Sequence, residues 1–177
     1  TSGDHGERAM KRAAIALACL LAACSEGASA RVTEAGAGPS VTLGTGQLVF
    51  EELVGEPPAM ELISGPQGGW HLLVATALAG TDGEASTITY EARRTSDDVV
   101  LGTVAYRITP RLLRDEGDAL VHDDDLLILE IASPEEVVGS ELAVSVVLEQ
   151  SGVVLGQDLR RVVVRDDVEE LAGLRAE

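Results

Sequence analysis

The stretch from Val41 to Asp166 predicts an all-β fold, an antiparallel β-sandwich of about eight or nine strands. Three observations carry this. Apolar residues recur at period two, turn residues interrupt them every eight to twelve positions, and the apolar positions are Val, Leu and Ile with only Phe50, Trp70, Tyr90 and Tyr106 as aromatics. An immunoglobulin-like sandwich is the expected arrangement, although the cysteine pair of an antibody-type domain is absent; an eight-stranded lipocalin-like barrel is the alternative.

Taken in order, the chain begins with a segment of a different kind. Lys11 and Arg12 follow Met10, and Ala13 to Ala23 is an unbroken run of small and apolar residues. That is the size of a signal-peptide core. It is far short of the roughly 20 apolar residues that span a bilayer, because Ser25, Glu26 and Gly27 end it. Residues 1–9 carry Asp4 and Glu7, which do not suit a basic leader, so they read as spurious upstream sequence and 1–23 as the signal peptide.

The run closes on Leu21-Ala22-Ala23-Cys24, which resembles the lipobox of bacterial lipoproteins. The resemblance implies cleavage before Cys24, acylation of its thiol and amine by palmitate-type chains, and a membrane anchor made by lipid. Several chains at about 0.8 kcal/mol per buried methylene hold such an anchor stably. Ser25, not being Asp, implies the outer membrane, the periplasmic face of the inner membrane being the alternative.

Removing residues 1–23 takes away Arg8, Lys11 and Arg12 against Asp4 and Glu7, leaving 10 basic and 28 acidic residues and a net charge of −18. Nucleic-acid affinity comes from Lys and Arg releasing counterions, so a nucleic-acid partner is excluded. Peripheral binding to anionic lipid is opposed for the same reason. Cys19 leaves with the signal and Cys24 takes the lipid, which removes disulfides, cysteine zinc sites and thiol nucleophiles. Lys11 is the only lysine, so its loss excludes Schiff-base chemistry and a phosphate-loop lysine.

Residues 24–40 are rich in Gly, Ala and Ser and read as a flexible tether. The sandwich domain is expected over 41–166. Its segments are Leu48–Leu53 and Met60–Ile63, then Trp70–Leu78, apolar on both faces. Alternating residues around Tyr90 and from Val100 to Ile108 predict a hairpin about Ser96-Asp97-Asp98. Pro110–Asp125 reads as an irregular acidic stretch with a short edge strand at Ala119–His122, and Leu126–Ile131 as a strand. Ser133-Pro134-Glu135-Glu136 has the cap, proline and early acids of one helical turn. Leu142–Leu148, Val153–Leu155 and Leu159–Val164 form the closing hairpin, and 167–177 is an acidic tail.

The most distinctive stretch is Gly65-Pro66-Gln67-Gly68-Gly69, directly before the most apolar strand. Pro presets φ and Gly supplies positive φ, so these five residues read as a structural turn. The run resembles one found in uncharacterised secreted lipoproteins with a single β-sandwich domain, a resemblance that implies no activity. Exposed amides of Gly68 and Gly69 with His71 would form an anion nest only in a positive surround, which the net charge opposes.

His71 and His122 are the only imidazoles after the signal. A three-histidine metal site is therefore excluded, and the candidate ligands are Asp115, Asp118, His122, Asp123 and Asp125. The acidic stretch offers hard oxygen ligands of the kind Ca²⁺ takes, but without the EF-hand spacing, and no cofactor is required. No Gly-x-Ser-x-Gly elbow or phosphate loop occurs. The expected function is a non-enzymatic, lipid-anchored envelope module that binds an envelope protein or glycan. The alternative is a small metal-dependent hydrolase using His122 and its neighbouring carboxylates.

Overall fold

The structure, a computed structural model, describes residues 38–65 and 68–166. The signal stretch, Cys24, most of the tether, Pro66, Gln67 and the tail from 167 onward lie outside the described residues. Ten strands follow one another: β1 (Ser40–Thr45), β2 (Glu51–Glu52), β3 (Ala59–Ser64), β4 (Trp70–Ala79), β5 (Ser86–Arg94), β6 (Val100–Arg107), β7 (Arg114–Asp115), β8 (Leu120–Leu129), β9 (Glu141–Gln150) and β10 (Val153–Arg165). Two single 3₁₀ turns, Pro110–Leu112 and Pro134–Glu136, complete them. Among the described residues no helix is long and apolar enough to cross a membrane.

The strands form two layers. In one, β7, β8, β4 and β1 lie side by side; in the other, β6, β5, β9 and β10 do. The strand β3 joins them, its first half running parallel to β10 and its second half antiparallel to β4. Reading strands A, B, E and D as β1, β4, β8 and β7, and strands C′, C, F and G as β6, β5, β9 and β10, gives the immunoglobulin-like order. The hydrogen-bonded path ends at β2 and β6 without closing, so the lipocalin-like barrel is excluded.

Alternation explains why these residues pair this way. Val144, Val146 and Leu148 on β9 and Ile88, Tyr90 and Ala92 on β5 are fully buried, while their neighbours in sequence are half-exposed. They face Leu72, Val74 and Leu127 from the other layer in one continuous core. Each such aliphatic side chain contributes about 1.5–3 kcal/mol when fully buried. Tyr90 is the one aromatic residue wholly inside.

Four sequence expectations need correction. A strand at Ser40–Thr45 was not expected, because only Val41 and Leu43 mark its alternation before Gly44. The segment Leu48–Leu53 contributes only Glu51 and Glu52 as strand; Phe50 folds back over Gly44, where a Cβ would come within 2.3 Å of its ring, and Leu48 and Val49 stand in a loop. The closing segments Val153–Leu155 and Leu159–Val164 are one strand with a bulge between Val154 and Gly156. Finally, Asp123–Asp125 belong to a continuous β8 rather than to a loop.

The two layers meet at an edge where β8 outruns the short β7. There Glu130 N–H donates to Leu101 O, and Gly102 lies so close that a Cβ would come within 2.0 Å of Ile128 O. That contact is with backbone, which has nowhere to move. Gly102→Ala is therefore expected to cost about 1–3 kcal/mol by overpacking, whereas Thr103→Ala, on the exposed face of the same strand, should stay within about 0.5 kcal/mol. Urea midpoints of the two variants check this.

Candidate functional site

A regular strand sends residues i and i+3 to opposite faces, so His122 and Asp125 should not meet. They meet because β8 carries a bulge. Val74 pairs with Asp125 and Thr76 with His122, which sets two residues of β8 against the single Ala75 of β4. Asp124 takes up the extra length with φ of 62°, a left-handed backbone that aspartate tolerates better than most residues. Both His122 and Asp125 then face inward, 7% and 4% exposed.

They bond each other, and a further partner, Tyr90, comes from the opposite layer. Asp125 Oδ2 takes hydrogen bonds from Tyr90 OH at 2.9 Å and from His122 Nδ1 at 2.8 Å. The phenol has one proton, which it gives to Asp125, so Thr76 Oγ1, 2.6 Å away, donates to the Tyr90 oxygen. Thr76 and Tyr90 are completely buried. Burial first, and then the neighbouring Asp125 charge, push the Tyr90 phenol well above its ordinary value near 10. Tyr106 packs edge-on against Tyr90 with ring centroids 6.2 Å apart. Its hydroxyl donates to Leu126 O and accepts from Leu126 N–H, standing in for a strand partner on the open edge of β8.

The other sequence candidates are dispersed. Asp123 pairs with Arg114, whose guanidinium also holds Glu116 at 2.8 Å. Asp115 accepts the Gly117 amide, and Asp118 closes the same turn through its backbone. Among the described residues no three acidic, histidine or cysteine side chains are placed to hold a metal. His71 pairs with Ile128, five positions along β4 from Thr76, or about 17 Å of strand from His122. Its imidazole is held below the usual histidine range by burial.

In the turn before β4, Gly68 and Gly69 have φ of 83° and 91°. Gly68 N–H donates to Gly65 O and Gly65 N–H to Gly69 O, so one of the two amides of the would-be anion nest, that of Gly68, serves the turn itself. Pro66 and Gln67 lie outside the described residues.

A second concave feature sits where β1 stops and β3 begins along the same side of β4. β1 pairs with β4 up to Ala75 and β3 from Leu72, leaving a notch in which Thr45 Oγ1 donates to Leu73 O at 2.9 Å. Beside it opens a groove of about 690 Å³, lined by the Gly46–Val49 loop, Met60, Ile63 and Leu73, with Glu51, Glu61 and Arg165 among its polar lining.

No protein-family model matches the chain, and no curated protein resembles it in sequence. Among solved structures it is similar to an immunoglobulin-like protein from Pseudomonas aeruginosa, at 18% identity over 71% of this chain and 91% of that one, with a TM-score of 0.31. The strand order of the chain itself assigns the sandwich.

Of the residues brought together here, sequence reasoning singled out His122 and Asp125 but not Thr76, Tyr90 or Tyr106. The available signal was two tyrosines on inward positions of one hairpin in a chain with four aromatic residues.

Tyr90→Phe should lower stability at neutral pH by about 1–3 kcal/mol, since Thr76 and Asp125 each lose a partner. It should also change the alkaline response. In the unfolded chain tyrosine ionises near pH 10 while folded Tyr90 keeps its proton, so the folded state binds more protons and stability falls as pH rises above about 10. The limit is about 1.4 kcal/mol per pH unit for one group. Tyr106, also raised by burial, contributes in the same direction. Urea unfolding between about pH 7 and pH 11.5 should show a shallower alkaline decline in Tyr90→Phe than in the parent chain.

Proposed function

We propose that the chain is a lipid-anchored cell-envelope β-sandwich that acts as a non-enzymatic binding or structural module. The observation that carries the non-enzymatic part is the use made of the buried acid and imidazole. Asp125 and His122 are tied to each other and, through Tyr90, to the opposite layer. The Thr76 hydroxyl, next in the same chain of bonds, is buried and bonded to Tyr90. A hydrolase built on His122 would need a second histidine or a free carboxylate beside it, and His71 and Asp123 are placed or paired elsewhere.

The anchoring part rests on the basic start, the apolar run and Leu21-Ala22-Ala23-Cys24, with Ser25 favouring the outer membrane. A domain held at a membrane surface by its N-terminal lipid is free to present loops and strand edges to an envelope protein or glycan.

The decisive experiment is labelling with radioactive palmitate in the native host, followed by membrane fractionation. The parent chain should incorporate label and sediment with the outer membrane, and Cys24→Ala should remain an unlabelled precursor. Normal processing and undiminished label in Cys24→Ala would overturn the anchoring reading.

A further inference from the structure

We infer that the groove beside the β1–β2 loop is a docking site for a polypeptide segment whose aliphatic side chains are flanked by Lys or Arg. The inference rests on the binding-module reading and names the class of partner. Two features of the groove decide the chemistry.

The first is an aliphatic wall whose outer residues are left exposed. Leu48 and Val49 are 83% and 59% exposed at the tip of the loop, and Ile63 and Leu73 continue the apolar lining behind them. The loop is held from both ends, by Thr45 on the Leu73 carbonyl and by Phe50 on Gly44. A wall fixed in advance spends little ordering entropy on a ligand. Among the described residues no aromatic side chain lines the groove, so it lacks the flat ring on which a sugar would stack.

The second is charge. Among the described residues, Glu51 and Glu61 are exposed on the groove against the single cation of Arg165, within a chain of net charge −17. A second copy of this chain, or any acidic segment, would bring like charge to that rim. A segment with basic flanks meets complementary potential and gains encounter rate as well as register. The volume of about 690 Å³ falls within the range that accepts a few side chains from one extended segment.

The test uses the purified full-length chain and two fluorescein-labelled nonapeptides. Both have a centre of five alternating leucines and valines; one is flanked on each side by two lysines, the other by two glutamates. Fluorescence anisotropy at about 20 mM NaCl should give the lysine peptide an affinity at least about tenfold higher, falling several-fold at about 300 mM NaCl. Leu48→Ser, at a position too exposed to matter for folding, should weaken the lysine peptide about tenfold. Glu51→Gln combined with Glu61→Gln should bring the two peptides to within about twofold of each other.

Equal binding of both peptides, no binding of either, or undiminished binding by Leu48→Ser would overturn the proposal. So would a dimer in sedimentation velocity that Leu48→Ser dissociates, since a second copy would then hold the groove. Displacement of the lysine peptide by soluble peptidoglycan fragments would overturn it in favour of a glycan. Palmitate labelling of Cys24 does not depend on this surface, so failure here leaves the lipid anchor standing, and failure there leaves the groove.

Discussion

A single carboxylate oxygen in the middle of this sandwich takes hydrogen bonds from both layers, and the geometry around it follows from that requirement. Asp125 Oδ2 binds Tyr90 from β5 and His122 from its own strand. Burying an acid without partners costs several kcal/mol, and leaving a buried polar group without one of its hydrogen-bond partners typically costs about 1–3 kcal/mol. The bulge at Asp123–Asp125, the left-handed Asp124 and the inward position of Tyr90 are thus one arrangement. An aliphatic core would pack the layers together at many relative offsets with similar energy. The Tyr90 contact ties them at a single one.

The fold was legible because it rests on alternation, and alternation is local. The strands β4, β5, β6 and β9 are marked by alternating inward apolar residues, such as Ile88, Tyr90 and Ala92 on β5 and Leu142, Val144, Val146 and Leu148 on β9, and each appears within two residues of its expected ends. The strand β1 was not legible, since Val41 and Leu43 are too few to establish a period. The strand β8 was read in two pieces because three successive aspartates look like solvated loop. What makes them strand is the carboxylate of Asp125 finding a donor on β5 as well as on its own strand, which no local pattern reports. His122 and Asp125 were readable as chemistry-bearing residues, but Tyr90 lies 35 positions away from Asp125 and joins it only where the two layers pack face to face.

Both open flanks of the sandwich carry hydrogen bonds made outside the strand ladders. On one, the Tyr106 hydroxyl satisfies both backbone groups of Leu126 and Leu101 receives Glu130. On the other, Asp158 of β10 accepts the Leu43 amide of β1 at 3.0 Å and Arg160 braces the same carboxylate at 2.9 Å. Unpaired strand edges are sites of unwanted pairing with other chains. Hydrogen bonds that engage these edge groups leave fewer of them open to such pairing.

The parallel pairing of β3 with β10 bears on how the domain is assembled in time. Its three residue pairs join positions about 100 residues apart, Ala59 with Val163 through Glu61 with Arg165. A polypeptide made from its N-terminus offers β3 and β4 to each other at once, but the other half of β3 waits until almost the whole domain has emerged. Contacts so distant in sequence slow folding, because the loop they close must be ordered before they form. Until β10 arrives, Ala59–Glu61 present an unsatisfied edge, which makes that interval the one in which a nascent chain most needs a holding chaperone.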